Sequence, residues 1–241
     1  MGKYLSVAGL IARSSFYKVL AVLFAGMLIQ FSLFHFAIES YTPTFTIEGV
    51  FSSSFVPLVS IAVFIAVYAL VAFTGTQFGS KCGYTINRLL IGENEYFAIQ
   101  TVYNSLVFLF VWFFEALIAT LCCIYAFLNA PENTVHAQSI FLSFYRSAFL
   151  HGLIPLEAWH VWLRNIFLAV ATGFAASQFS FKQRRSKFSL ISLAVPILTC
   201  GFFAVKADDW ANSIIVIIGA VLVILSHFIE KALKEEKNET K

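Results

Sequence analysis

Six long apolar stretches, at 16–38, 51–76, 97–127, 159–179, 188–205 and 210–229, alternate with short polar connections along the 241 residues of the chain. At a rise of about 1.5 Å per residue, each is long enough to cross about 30 Å of hydrocarbon as a helix. The pattern predicts an all-α membrane protein with six transmembrane helices in a single domain. Ahead of the first span, residues 2–15 set Tyr4, Leu5, Val7, Ala8, Leu10 and Ile11 against Lys3, Ser6 and Arg13. That amphipathic segment predicts an N-terminal interfacial elbow helix, with a plain extension of the first span as the alternative.

The connections carry further structure. Between spans two and three, 77–96 opens with Gly79 and Gly83, and the pattern of Tyr84 to Ile91 predicts two helical turns with Ile86, Leu89 and Leu90 on one side. A short, partly basic helix held parallel to the membrane suits a cytoplasmic docking element, and an interfacial turn with snorkelling Lys81 and Arg88 fits the pattern equally. After span three, 139–156 is aromatic-rich, closes at Pro155 and is too short to cross, so it predicts an extracellular interfacial or re-entrant half-helix. Span four carries Ala169, Gly173 and Ser177 at four-residue spacing, a stripe that lets another helix approach closely. Spans five and six, joined by four residues, are expected to form a tight antiparallel pair. The Lys- and Glu-rich segment 230–241 reads as a frayed cytoplasmic helix.

Charge sets the orientation. With the amino terminus inside, Lys3, Arg13, Lys18, Lys81, Arg88, the Lys182–Lys187 cluster and the C-terminal lysines all fall on the cytoplasmic side, whereas Arg146, Arg164 and Lys206 fall outside. The positive-inside rule therefore places both termini in the cytoplasm. The first apolar stretch is long for a secretory signal and lacks a small-x-small cleavage site, so it is read as a retained span. With 59% hydrophobic residues, 12% charged residues and 28 Phe, the chain has too little polar surface for a water-soluble globule. Nothing in its charge pattern points to nucleic acid.

Candidate chemistry is sparse. The chain has no phosphate loop, no H-E-x-x-H and no G-x-S-x-G, so any ATP must be bound by another polypeptide and no catalytic, cofactor or metal residues are assigned. The nearest metal-like group is His151, Glu157 and His160, in which Glu157 and His160 have i, i+3 spacing; an outer polar cluster is the plainer reading. Glu115 and Arg164 interrupt apolar helices, and an ionised side chain at mid-membrane costs about 2.5–3.5 kcal/mol on insertion scales, so each must face protein or water. One reading joins them as an interhelical ion pair lining a substrate path. The other has Arg164 snorkelling outward while Glu115 is protonated or hydrogen-bonded within the bundle. Gln30, His35, Asn104 and His227 read as interhelical hydrogen-bonding groups. Cys82, Cys122, Cys123 and Cys200 show neither metal nor disulfide spacing.

The elbow, six spans, cytoplasmic ends, loop helix and outer half-helix together resemble the type-2 permease subunits of ABC transporters. The segment Gly79-Ser-Lys-Cys-Gly-Tyr-Thr-Ile-Asn-Arg-Leu-Leu-Ile-Gly-Glu93 is similar to the loop between spans two and three of bacterial permease-like proteins. Phe144-Tyr-Arg-Ser-Ala-Phe-Leu-His-Gly-Leu-Ile-Pro155 and Phe179-Ser-Phe-Lys-Gln-Arg-Arg-Ser-Lys187 resemble segments of uncharacterised membrane proteins of Gram-positive bacteria. The resemblance implies a subunit of the bacterial plasma membrane that pairs with itself or a paralogous permease and couples to a separate cytoplasmic ATPase. It further implies a coupling helix contacting that ATPase through Lys81, Tyr84, Arg88 and Leu89, and export of an amphipathic or lipid-like substrate. Family members often place re-entrant helices between the last two spans, whereas here the half-helix follows span three. A non-transport role in membrane assembly, sensing or immunity is the alternative.

Overall fold

A computed structural model describes residues 2–40, 46–74, 92–130, 137–184, 190–204 and 210–239; within these the chain is all helical, without strands. In chain order the helices are α1 (Gly2–Ser40), α2 (Ile47–Ser53), α3 (Val56–Thr74), α4 (Glu93–Asn129), α5 (Ala137–Arg146), α6 (Ala148–Leu153), α7 (Trp159–Arg184), α8 (Leu190–Ala204) and α9 (Trp210–Glu239). Three of them, α1, α3 and α4, are long and apolar enough to cross a membrane. Their outward faces carry Phe24, Leu28, Ile29, Leu58, Ile65, Phe113 and Leu117, all exposed. An apolar surface of that extent is tolerated against hydrocarbon and not against water.

Hydrogen bonds fix how the helices run. Tyr4 donates to Glu95 (3.2 Å), Ser15 meets Tyr103 (2.8 Å), Gln30 donates to Glu115 (3.1 Å) and Tyr125 meets His35 (2.9 Å). Successive turns of α1 thus face successive turns of α4, and the two are parallel. Phe97 against Phe181, Asn104 against Ser177 and Trp112 against Trp162 make α7 antiparallel to α4. Thr172 to Thr199 places α8 beside α7, and the edge-on pair Trp159 and Trp210 brings the starts of α7 and α9 together. At the opposite end Ser180 donates to the Ala72 carbonyl and Tyr68 to that of Ser192.

α7 is the centre of the bundle, and α3, α4, α8 and α9 pack around it. Every residue from 171 to 178 is buried, including Thr172, Ser177 and Gln178. Shielded on several sides by other helices, α7 tolerates a polarity that lipid would not, and for that reason its hydropathy falls below that of α1, α3 and α4. Gly173 makes the closest approach: a Cβ there would collide with the Ser105 backbone of α4. The small-residue stripe read from the sequence is therefore the seat of α4.

Three expectations change. Residues 2–15 are not a separate elbow; they belong to one uninterrupted helix of 39 residues. No Gly or Pro breaks the chain near Ser14 and Ser15, whose hydroxyls bond back to the Ile11 carbonyl, and Val7 and Ile11 pack on Tyr96 of α4. At about 58 Å this helix outruns about 30 Å of hydrocarbon, so its first turns extend beyond it. The second apolar stretch is divided at Ser54 and Phe55 into α2 and α3. Thr46 caps α2, the Ser54 hydroxyl turns back to the Phe51 carbonyl, and Pro57 lies in the first turn of α3, where its missing N–H costs no helical bond. Finally, among the described residues α8 and α9 do not form the expected close pair; α9 lies along α7. Ala171 and Ala175 of α7 and Ala220 of α9 leave room for that packing; a short connection constrains where two helix ends lie, not which faces meet.

Candidate functional site

The site is built from stripes of three helices and one residue of a fourth. On α3, Pro57, Ser60, Ile61 and Phe64 follow i, i+3, i+4, i+7 spacing and share a face. On α4, Val111, Trp112 and Glu115 face them, Phe149 and Leu153 of the short helix α6 close one side, and Cys200 of α8 closes another. Together they line a mostly apolar cleft, open on one side; about 50 Å³ of it is enclosed, and the empty space of about 500 Å³ within its rim includes the open side.

Glu115 is the charged group in that wall, and it is buried, 6% exposed. The Gln30 Nε2 donates to both of its oxygens at 3.2 and 3.1 Å, and the Ser60 hydroxyl donates to Oε2 at 2.7 Å. Three helices thus converge on one carboxylate through neutral donors, and no ion pair among the described residues includes it. Glu115 lies 22 residues past the start of α4, about 33 Å along the helix and about 21 Å from its end.

Arg164 is elsewhere. Nη2 meets Asn165 Oδ1 at 3.4 Å, and the guanidinium carbon lies 5.5 Å from the centre of the Phe202 ring, with the side chain 1% exposed. The ion pair weighed for Glu115 and Arg164 is therefore not formed: Glu115 is hydrogen-bonded within the bundle, and Arg164 is buried rather than snorkelling. The physical reason is the rotation of the two helices: Glu115 faces Gln30 of α1 and Ser60 of α3, whereas Arg164 faces Phe202 of α8.

The half-helix predicted after span three consists of α5 and α6, separated at Ser147, whose hydroxyl caps α6 by accepting from Leu150 N. All of 149–153 is buried. A helix of six residues ending inside a bundle exposes several carbonyls, and side chains meet two of them and one just beyond its end. Asn165 Nδ2 donates to Gly152 O at 2.8 Å, Trp112 Nε1 to Leu153 O at 3.0 Å and Trp162 Nε1 to Pro155 O at 2.6 Å. Non-helical backbone at this depth is tolerated because α4 and α7 supply donors.

The remaining candidates scatter. Glu157 sits in a bend before α7 begins, so it shares no helix face with His160; it accepts from Tyr145 (2.9 Å), whose ring packs on His151, while His160 stacks on Trp210 at 4.4 Å. Among the described residues no set of three or more His, Cys, Asp or Glu is placed to hold a metal ion. Gln30, His35 and Asn104 bond across helices as read from the sequence. Cys122 and Cys123 are free and buried. Lys81, Tyr84, Arg88 and Leu89, Cys82 and the side chain of His227 lie outside the described residues. Ser60, Phe64 and Trp112 were not singled out from the sequence. Helical periodicity with Pro57 and Glu115 was the available signal, but it is shared by every buried face. No protein-family model, curated protein or solved structure matches the chain.

Proposed function

We propose that the chain is a six-span permease subunit of a bacterial plasma membrane, with both termini cytoplasmic, working as a dimer with itself or a paralogue and driven by a separate ATPase. The observation that carries this reading is the Glu115 pocket: a buried carboxylate in the wall of an otherwise apolar cavity, beside a half-helix held between α4 and α8. Such a cavity suits an amphipathic substrate, and an ionisable group at membrane depth is costly to keep unless it is used. The six-span reading draws on the long apolar helices α1, α3 and α4, the central α7 and the shorter apolar helices α8 and α9, with the starts of α7 and α9 side by side. Coupling to the ATPase is assigned to the loop containing Lys81, Tyr84, Arg88 and Leu89.

The test is purification of the tagged chain from membranes of its own bacterium in a mild detergent. Stoichiometric ATPase activity is expected to coelute and to be lost, with the chain still monodisperse, when Tyr84 and Arg88 are both replaced by alanine. An ATP-independent preparation with no companion subunit overturns the permease reading in favour of a non-transport membrane role.

A further inference from the structure

The pocket's chemistry is one-sided. Its charged group is an acid, its lining includes no Lys, Arg or His, and three aromatic rings, Phe64, Trp112 and Phe149, share the wall with Glu115. Gln30 and Ser60 supply Glu115 with dipoles and no countercharge. A carboxylate has about four lone-pair positions, and two neutral donors leave acceptor capacity unused. Ionised in so apolar a place, Glu115 would be best compensated by a partner of opposite sign. Aromatic faces add attraction for cations, most strongly where water is excluded, and a carboxylate among such rings is the recognition pattern for alkylated ammonium groups. The apolar remainder, Pro57, Ile61, Val111, Leu153 and Cys200, would hold a hydrophobic body.

We propose that this pocket binds an amphipathic organic cation, a quaternary onium or protonated amine carrying an apolar body, with Glu115 as countercharge and Phe64, Trp112 and Phe149 around the cationic centre. A zwitterionic lipid headgroup shares the ammonium but brings a phosphate, for which the lining offers no basic side chain. As the cargo class of the proposed permease, this assignment rests on that reading; the binding itself is measured on the chain without any ATPase, so the two fail separately.

The experiment is equilibrium binding of tritiated tetraphenylphosphonium to the purified full chain in a non-ionic maltoside, with tetraphenylborate as an anion of the same shape. The cation is expected to bind at least about tenfold more tightly than the anion, and Glu115→Gln to lose about tenfold in affinity for the cation. The variant's amide oxygen still accepts from Gln30 and Ser60, so the bundle is expected to hold. Phe64→Leu keeps a large apolar side chain, removes a ring face and is expected to weaken binding about 2- to 30-fold. Equal binding of the two ions, or cation affinity unchanged in Glu115→Gln, overturns the proposal. Should Glu115→Gln fail to fold, unchanged affinity in Phe64→Leu overturns it instead. Displacement of the cation by phosphatidylethanolamine at equal concentration also overturns it, in favour of a lipid headgroup site.

Discussion

Replacing Gly173 with alanine adds one methyl group where α4 and α7 are closest. Its Cβ would stand 2.6 Å from both the Cα and the hydroxyl oxygen of Ser105, and closer still to the Ser105 backbone nitrogen. Backbone atoms cannot rotate aside as a side-chain tip can, so the helices must separate. Overpacking of this kind costs about 1–3 kcal/mol. Alanine's better helix propensity offsets at most about 1 kcal/mol, and less where the unfolded reference in detergent is already helical. A net loss of about 1–2 kcal/mol is expected, a drop of about 5- to 30-fold in the folded to unfolded ratio.

Two other substitutions turn this into a graded series. At Gly219 an added Cβ meets nothing within 4 Å, so Gly219→Ala is expected to be neutral or slightly stabilising. At Gly26 the obstacle is a Val63 methyl rather than backbone; a helical valine holds its rotamer stiffly, so relief is partial and Gly26→Ala falls between. Reversible unfolding by dodecyl sulfate titrated into maltoside micelles, followed by tryptophan fluorescence, measures all three. Gly173→Ala as stable as the parent, or Gly219→Ala as damaging as Gly173→Ala, refutes the close approach of α4 and α7.

Two further outcomes follow from the hydrogen bonds. Asn165→Leu removes the donor to Gly152 O and leaves a buried carbonyl without it, costing about 1–3 kcal/mol locally; trypsin added from outside is expected to cut after Arg146 faster in this variant, and an unchanged rate shows that Asn165 does not hold the half-helix. Exchanging the charges, Glu115→Arg with Arg164→Glu, is expected not to rescue either single variant, since the two groups are not paired, with a coupling energy within about 0.5 kcal/mol of zero in a double-mutant cycle. Recovery of stability in the double variant would place the two side chains in contact after all.

Hydropathy made most of the long helices legible, because a lipid-facing helix must be apolar on its outer surface, as α1 and α3 are. It says less about a helix in the middle. α7 carries Arg164, Asn165, Thr172, Ser177 and Gln178, all buried, and the pattern that marked it as a span gave no sign that it is the hub. The Ala169, Gly173, Ser177 stripe did mark a close approach, but a stripe of small residues does not name its partner. Glu115 was conspicuous as a charge in an apolar run; Ser60, which holds it, was not, since serine is common in helices and its use depends on which helix faces it. Arg164 shows the same limit. A sequence with two opposite charges near one membrane level invites pairing, whereas pairing depends on helix rotation and offset, and these are set by the packing of side chains such as Trp112 and Trp162.

The pocket lies where the backbones of α3 and α4 stand apart, bridged by side chains: Phe64 and Tyr68 pack on Phe108 beside it. α3 leans on α1 and α7, while α4 is bound to α7 along much of its length, so a gap opens between the faces of α3 and α4. Ser60 to Glu115 is the hydrogen bond reported across it. The other walls belong to the α4 side: Trp112 of α4 holds the end of α6 through the Leu153 carbonyl, and Asn165 and Trp162 of α7 hold the carbonyls flanking it. Phe149 and Leu153 are thus tied to α4 and α7, and Ser60, Ile61 and Phe64 belong to α3, which is itself tied to α7 and α8 where Ser180 donates to the Ala72 carbonyl and Tyr68 to that of Ser192. At the pocket the hydrogen bond between the two sides is one hydroxyl to one carboxylate, worth about 1.5–3 kcal/mol net; the rest of the joint is the packing of Phe64 and Tyr68 on Phe108.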